Sequence, residues 1–284
     1  MAKNVCISAD TTCDMPKDLQ EKYNISIIPL YITFGDKSYL DGIEMTPDEL
    51  YKKYEEEGVL PKTSAVSIGD FADYFAKLLK DYDQVIHFSL SSGLSCTYQN
   101  AVLAAEEFDG RVFVLDSKNL STAQSLSVIY AAELLAEGKT AEEIVDIMPG
   151  YINRVDASFI IESLEFLHKG GRCSAVTALG ANLLNIKPCI QVQDGKMDVG
   201  KKYRGKFKVV LKKYVEEKLA GDDFDTKRIF VTHAGCEDDV VDMVCQAVKE
   251  TGIFNEILLA RAGCTISSHC GRNTLGILFA HKDE

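Results

Sequence analysis

The chain has 284 residues, with 43 acidic and 31 basic side chains and a formal net charge of −12. This negative balance argues against a nucleic-acid-binding surface, because phosphate recognition depends on clustered lysine and arginine. The sequence shows neither a signal-peptide pattern nor an apolar run of the roughly 18 to 20 residues that span a membrane, so we expect a cytoplasmic protein without stable membrane insertion.

Nine cysteines are scattered along the chain without a C-x-x-C pair, and several lie in apolar segments. This distribution is typical of reduced thiols in a cytosolic protein, where a buried cysteine behaves as a small hydrophobic residue. Cys264, His269 and Cys270 match no familiar zinc spacing and lack a fourth ligand. We therefore expect no metal site.

The first half of the chain reads as alternating strands and helices. Short apolar runs predict strands at 4–9, 25–34, 85–90 and 111–116, the second of them broken or at a sheet edge at Pro29, because proline cannot donate to a ladder. Capping boxes at Thr46 and Thr140 predict two helix starts, and further helices are expected at 16–23, 71–79, 98–107 and 117–138. The repetition predicts an α/β domain over residues 1–153, with a mostly parallel sheet and helices on both faces.

Two aspartates follow the first predicted strand. Asp10 lies where the strand passes into a loop, and we expect it to orient its neighbours by hydrogen bonds. Asp14 precedes the proline that opens the next helix, so it is the expected amino-terminal cap.

The segment 91–97 (SSGLSCT) places four hydroxyls and one glycine between a strand and a helix. Free backbone N–H groups, the positive end of the helix dipole and short hydroxyl donors together form a receptor for an oxyanion. Open α/β sheets bind their ligands at such points. An ordinary connection, in which the serines only cap the helix, is the alternative.

Thr63 and Ser64 lie in a predicted loop one sheet element before this Ser-Gly loop. Consecutive strands are usually neighbours in a sheet, so both loops should emerge at the same sheet edge. A single anion could then contact both.

The second half has a different pattern. Candidate strands lie at 157–161, 187–193, 197–199, 228–233, 256–261 and 275–281, and candidate helices at 174–184, 205–219 and 236–250. The Asp194-Gly195 pair between two of the strands indicates a hairpin. We therefore expect a separate α+β domain over residues 154–284, with a mixed or antiparallel sheet.

Three features of this half could carry function. The Gly170-Gly171-Arg172 turn either presents a guanidinium group to a ligand or only ends a helix with a solvated arginine. The segment 201–213 has seven basic residues and no acidic one. Such a run is either a solvated face or a docking surface for a negatively charged partner. The third feature is a predicted loop of small and hydroxylated residues at 264–274, centred on His269, which leaves room for a ligand.

Several stretches together resemble the DegV family of bacterial fatty-acid-binding proteins. They occur in order over nearly the whole chain: DTTCDMP at 10–16, KTS at 62–64, SSGLSCTY at 91–98, GGRCS at 170–174, LLNIKP at 183–188, RGK at 204–206, HA at 233–234 and the segment around His269. Each piece is short, and the signal comes from their common order.

This resemblance implies a non-catalytic, two-domain lipid-binding protein that holds one long-chain fatty acid and needs no cofactor. The fatty-acid tail is expected between the domains, and the carboxylate at Thr63, Ser95, Ser64, Ser92, Gly93 and His269. Some family members present the acid to a separate kinase that makes acyl phosphate. For that role, the resemblance implies Arg172 and Arg204 as contacts to the kinase or to phosphate.

The sequence departs from the family pattern at two places. Cys96 stands where the family usually has glycine, which adds bulk beside the expected carboxylate. Residues 267–272 (SSHCGR) replace a loop that is usually richer in Gly, Thr and Pro. We expect these changes to affect which fatty acid is bound more than the class of ligand.

Two enzyme functions are the alternatives. A hydrolase would use Ser92 or Ser95 as nucleophile with His269 as base, but the loop lacks the G-x-S-x-G pattern. A phosphotransferase would need a phosphate-binding loop and a Mg²⁺ site, and the chain has neither a G-x-x-x-x-G-K-[ST] motif nor a convincing acidic cluster.

Overall fold

The computed structural model of the chain describes residues 4–178 and 186–283. The strands are β1 (Val5–Asp10), β2 (Ile25–Ile28), β3 (Tyr31–Phe34), β4 (Lys37–Leu40), β5 (Lys62–Ser64), β6 (Gln84–Ser89), β7 (Val112–Asp116), β8 (Val155–Ile161), β9 (Ile186–Gln193), β10 (Lys196–Arg204), β11 (Arg228–Ala234), β12 (Glu256–Arg261) and β13 (Thr274–Ala280). The helices are α1 (Lys17–Lys22), α2 (Pro47–Glu57), α3 (Ile68–Leu78), α4 (Thr97–Ala105), α5 (Thr122–Ala136), α6 (Ala141–Ile152), α7 (Glu165–Gly170), α8 (Ser174–Ala178), α9 (Phe207–Lys218), α10 (Asp238–Glu250) and α11 (Cys264–Cys270).

The first sheet is parallel throughout, with the strand order β2-β1-β6-β7. Side chains alternate between its two faces, as the pleat of a strand requires. Cys6 and Val85 pack with α3 and α4 on one face, whereas Ile7 and Ile86 pack with α5 and α6 on the other. The predicted α/β fold, with helices on both faces of a parallel sheet, is therefore confirmed.

The second sheet is mixed, with the order β10-β9-β8-β13-β11-β12. Its strands pair antiparallel except for β11 and β12, which are parallel. The predicted hairpin is present, since Gln193 pairs with Lys196 across a turn in which Asp194 and Gly195 both have positive φ. The α+β character expected for the second half is confirmed.

Helix α5 lies between the two sheets. It packs against β1 and β6 of the first sheet and against β8, β11 and β13 of the second. Eleven of the fifteen residues of α5 are buried, because a helix enclosed between two sheets has little solvated surface. Two of its polar side chains are paired across the core: Gln124 Nε2 donates to the Phe88 carbonyl (3.0 Å), and Ser125 Oγ donates to the Cys13 carbonyl (2.8 Å).

A third, small sheet with the order β4-β3-β5 corrects one prediction. The strand region at 25–34 breaks at Pro29, as expected, into β2 and β3, which belong to different sheets. Thr63 and Ser64 lie in strand β5 and not in a loop, and Thr63 pairs with Ile32. Strand β5 consists of three polar residues, which are too few to show an alternating apolar pattern. The strand therefore could not be predicted from the sequence.

Other predicted boundaries also differ. The helix expected at 117–138 is α5, which starts five residues later because Lys118 and Ser121 adopt positive φ angles. The loop expected at 264–274 contains helix α11. Strand 197–199 extends through Arg204, so the basic run is shared between β10 and α9. Of the helix expected at 174–184, α8 is described and the remainder lies outside the described residues.

The two halves share one hydrophobic core. Helix α6 ends at Ile152 and β8 begins at Val155, so the division predicted at residue 153 falls in a short connection. The largest core cluster nevertheless joins α5 and α6 to Ala157, Phe230 and Leu278 of the second sheet. The division into domains at 1–153 and 154–284 stays a prediction. Among the described residues, no helix combines the length and apolar character needed to cross a bilayer.

Candidate functional site

A cavity of about 220 Å³ lies where β5, the Ser-Gly loop and α11 meet. Its polar lining includes five of the predicted site residues: Thr63, Ser64, Ser95, Arg172 and His269. Its apolar lining includes Leu30, Leu90, Leu94, Leu120, Met197 and Ile266. Among the described residues that line it, Arg172 carries a positive charge and none is acidic.

Thr63 and His269 are in direct contact in this cavity. Thr63 Oγ1 and His269 Nε2 are hydrogen-bonded at 2.9 Å, although the residues come from opposite halves of the chain. Strand β5 presents Thr63, and the last turn of α11 presents His269. Thr63 on β5 and Ser95 in the Ser-Gly loop also line this cavity together, as predicted. They do not come from neighbouring strands of one sheet, however, since β5 belongs to the small sheet and not to the parallel sheet.

The His269 imidazole is held neutral. Burial and the nearby Arg172 guanidinium lower its pKa to about 4. Its Nδ1 atom is buried without a hydrogen-bond partner, and the backbone at Gly170 packs on the same edge of the ring, where a Cβ would lie 2.4 Å from Nδ1. Glycine is therefore needed at position 170 for this close approach, which was not evident from the sequence.

Ser95 supports both interpretations of the Ser-Gly loop. Its Oγ accepts from the Thr97 N–H at the start of α4 (3.2 Å) and shares a hydrogen bond with Thr97 Oγ1 (2.9 Å). Ser95 precedes the N-cap residue Cys96 and satisfies the first N–H of the helix, and its half-buried side chain also lines the cavity. A hydroxyl has further hydrogen-bonding capacity beyond these contacts.

Ser92 and Gly93 do not line the cavity with Ser95. Ser92 is exposed, and its Oγ donates to Asp116 at the end of β7 (2.5 Å). Gly93 packs against the hairpin, where a Cβ would lie 2.5 Å from the Gly195 carbonyl oxygen. At Gly93 the Ser-Gly loop therefore packs against the second half of the chain, whereas Ser95, later in the loop, lines the cavity.

A second, apolar cavity of about 30 Å³ adjoins the first. The two share Leu120, Ile266 and Cys270 in their linings. Beyond these residues, the smaller cavity extends over the central strands of the second sheet, where Ala157 and Phe159 face it. The site thus has a polar end near His269 and an apolar continuation between the two halves. The sequence signalled the polar end only, because the apolar lining comes from residues that resemble ordinary core.

The two aspartates after β1 act differently from each other. Asp10 is buried and accepts from the N–H groups of Thr12 (3.0 Å) and Leu90 (2.7 Å), so it ties β1 to the start of the Ser-Gly loop, as predicted. Asp14 is not a helix cap, because Pro16 precedes α1 and no side chain caps that helix. Its carboxylate instead accepts from Ser121 Oγ (2.5 Å) and from the N–H of Gly263 (2.8 Å).

The two predicted contacts for a kinase or for phosphate lie in different places. Arg172 is exposed at the rim of the cavity and donates to the Gly170 carbonyl (2.7 Å). Arg204 is exposed at the end of β10 and does not line the cavity. In the basic run, Lys201 pairs with Glu217 at 2.7 Å, so part of its charge is neutralised within the protein.

The contacts of His269 do not form a nucleophile–base pair. Its Nε2 bonds to Thr63, while Ser92 bonds to Asp116 and Ser95 to Thr97. A serine hydrolase needs a hydrogen bond from the serine to the histidine, and a third group that orients the ring. Within the described ranges, no group of three or more His, Cys, Asp or Glu side chains is placed to hold a metal ion.

Comparison with known proteins finds relatives over nearly the whole chain. The family model for DegV, described as an uncharacterised protein family, matches residues 4–282. A fatty acid-binding protein from Thermotoga maritima is 36% identical over 281 residues, which cover 96% of each chain. A fatty-acid-binding DegV family protein from Thermus thermophilus has a structure with a TM-score of 0.90, 32% identity and coverage of 98% of this chain and 100% of its own.

DegV of Bacillus subtilis, a fatty acid binding protein, has a TM-score of 0.86 at 28% identity, with 99% of this chain and 100% of that chain covered. These relatives are named as binding proteins and not as enzymes. Because the family model and the relatives extend over nearly all of its length, the chain belongs to the DegV family.

Proposed function

We propose that this protein binds a long-chain fatty acid such as palmitate, with the carboxylate at Thr63, Ser95 and His269. The observation that carries the proposal is that these three side chains line one cavity, which continues into an apolar one. The fatty-acid binding named for the relatives supports the same ligand class.

The tail supplies most of the affinity. A C16 chain offers on the order of 14 methylene groups at about 0.8 kcal/mol each, or roughly 11 kcal/mol before the entropic costs of binding. The apolar cavity is small when empty, so Leu120, Ile266 and the side chains around Ala157 must shift to admit the tail. Chain length is therefore limited by how far these side chains can move.

The polar end supplies orientation. Each hydrogen bond to a carboxylate contributes about 1.5 to 3 kcal/mol, which is largely offset by desolvation of the head group. Thr63 and Ser95 offer hydroxyl donors, and Arg172 at the rim provides positive charge that remains close to solvent. His269 donates to a carboxylate through Nε2, the ring nitrogen that now bonds to Thr63, since Nδ1 lies against Gly170.

A further part of the proposal is presentation of the bound acid to a separate kinase. The carboxylate lies next to an exposed arginine, Arg172, so a partner can reach the cavity rim there. Arg204 and the basic segment that follows it offer a second cationic surface to an acidic partner or to phosphate. Adding ATP and a fatty acid kinase to the loaded protein should yield acyl phosphate, and Arg172→Ala should slow that step.

The decisive experiment identifies the ligand directly. The purified protein is denatured, the released lipid is analysed by mass spectrometry, and the delipidated protein is then titrated with hexadecanoate. Ser95→Ala should weaken binding several-fold, whereas Ser92→Ala in the same loop should not, because Ser92 faces Asp116. Absence of any released or titratable fatty acid would refute the function. Equal effects of the two serine variants would refute the placement of the carboxylate.

A further inference from the structure

Helix α11, which carries His269, is held at its start by two buried aspartates from distant parts of the chain. The Asp41 carboxylate accepts from the N–H of Cys264 (2.8 Å), the N–H of Thr265 (2.9 Å) and Thr265 Oγ1 (2.6 Å). Asp14 accepts from the N–H of Gly263 (2.8 Å). Both carboxylates are almost fully buried, at 1% exposure for Asp41 and 8% for Asp14.

These contacts replace a cap that the helix does not provide for itself. Gly263 precedes α11 and has no side chain, so the first N–H groups of the helix need partners from elsewhere. With seven residues, α11 is also far shorter than the roughly 12 to 15 residues that give even a marginal helix alone. Its position therefore depends on the contacts made by other segments.

Asp41 contacts a residue that lines the cavity, Thr265. Thr265 and His269 are four residues apart, so they lie on the same face of α11, and both line the cavity. Asp41 bonds to the backbone and to the hydroxyl of Thr265, which fixes the rotation of the helix as well as its position. A rotated helix would carry His269 away from Thr63.

Asp41 adjoins the small sheet that contains Thr63. Asp41 follows β4 directly, and its N–H donates to the Leu30 carbonyl (2.9 Å) next to β3. Thr63 lies on β5, which pairs with β3. The sheet thus contacts α11 twice, through Asp41 at the start of the helix and through Thr63 at its last turn.

We propose that Asp41, assisted by Asp14, is a positioning residue that sets the rotation of α11 and so keeps His269 at the head group of the ligand. This inference rests on the proposed fatty-acid function and adds a residue to it that does not line the cavity. An asparagine at position 41 would present an N–H₂ group to one of the two N–H donors of α11, where the carboxylate now accepts.

The test compares Asp41→Asn with Thr140→Ala, which removes the cap of the remote helix α6. Binding of hexadecanoate and of hexadecanol is measured in both variants, and the His269 imidazole is observed by NMR. We expect Asp41→Asn to weaken hexadecanoate by about tenfold and hexadecanol by less than about twofold, because only the acid needs the aligned head-group site. Thr140→Ala should affect neither ligand beyond its effect on thermal stability.

Equal weakening of the acid and the alcohol in Asp41→Asn, or a profile like that of Thr140→Ala, would overturn the inference. If Asp41→Asn does not fold, Asp14→Asn replaces one of the two acceptor oxygens that receive the Gly263 N–H and Ser121 Oγ, and it should weaken hexadecanoate more than hexadecanol by a smaller factor. If the wild-type protein binds no fatty acid, the proposed function fails. The NMR signal of the His269 imidazole in the ligand-free proteins then tests the positioning role of Asp41 by itself. An unchanged His269 signal in the variant would overturn the positioning role on its own.

Discussion

Thr63 and His269 lie 206 positions apart in the chain and are joined by a 2.9 Å hydrogen bond between Oγ1 and Nε2. This bond connects the small sheet of the first half to the short helix α11 of the second half. A neutral imidazole paired with a hydroxyl is a weak interaction, and a carboxylate that enters the cavity can compete for both groups. The contact therefore marks the place where a head group would bind.

Replacing Thr63 by valine removes the hydroxyl while keeping the shape of the side chain. We expect Thr63→Val to weaken hexadecanoate binding by about five- to tenfold, corresponding to roughly 1 to 1.4 kcal/mol for one hydrogen bond. Titration calorimetry on the delipidated protein measures this. Thr33→Val, on the adjacent strand β3, is the matched control, because Thr33 bonds to Ser38 and lies outside the cavity. Similar losses in both variants would contradict the role of Thr63.

Binding should depend on pH through His269. In the free protein, burial and Arg172 hold the pKa of this imidazole at about 4, so the ring is neutral at pH 7. A bound carboxylate favours the charged ring and raises its pKa, so the complex takes up a proton. Hexadecanoate affinity should therefore increase as the pH falls from 7.5 to 5.5, by up to about tenfold per pH unit below the pKa of the complex.

The control for this pH dependence is His269→Gln. Titration of the ligand itself is common to both proteins, so the difference between their slopes isolates the imidazole. Calorimetry in buffers of different ionisation enthalpy should show proton uptake in the wild type and less uptake in the variant. Identical slopes would mean that His269 does not sense the carboxylate.

The sequence predicted the parallel sheet and the mixed sheet because their strands are apolar runs and their helices carry strong caps, such as Thr46 and Thr140. It also singled out Thr63, Ser95 and His269, which the structure places at one cavity, while their role toward a carboxylate stays a prediction. It did not predict how they meet. The short strand β5 and the buried helix α11 carry little local signal, and their structure is imposed by tertiary contacts.

Residues that act through the backbone were also difficult to predict. Gly170 matters because its backbone touches the His269 ring, and Asp41 because it receives N–H groups from a helix more than 200 positions away. Neither relation follows from periodicity or local spacing. Leu120 and Ile266 likewise resemble ordinary core residues until the cavity between the two halves is seen.

The apolar cavity can be tested by filling it. Ala157 is buried on β8 and faces this cavity, so Ala157→Phe should occupy the space needed by the far part of a long tail. We expect hexadecanoate binding to be lost, while decanoate keeps an affinity within about threefold of its wild-type value, since it buries fewer methylene groups there. Ala157→Val should give an intermediate limit on chain length. Equal loss of both acids would place the tail elsewhere.

Cys96 offers a chemical test of the carboxylate position. It is exposed at the cavity, whereas Cys245 is half-buried and the other seven cysteines are buried. N-ethylmaleimide should modify Cys96 first, as followed by mass spectrometry, because thiol alkylation requires access to the thiolate. Saturating hexadecanoate should slow this labelling by about tenfold without changing that of Cys245. Unchanged labelling of Cys96 would contradict a head group beside it.

His87 makes folding stability depend on pH, apart from any ligand. The ring is fully buried on β6, where its Nδ1 is 2.9 Å from Ser8 Oγ, and burial lowers its pKa to about 3. The unfolded chain binds a proton near pH 6.5, but the folded chain does not, so this contribution is complete above pH 6.5 and is lost as the pH falls towards 3. In urea unfolding, the wild type should lose about 1.4 kcal/mol more than His87→Gln between pH 7.5 and 5.5. The variant has a lower stability at pH 7.5, but its other titrating groups are unchanged, so equal losses in the two proteins would show that His87 is not held neutral.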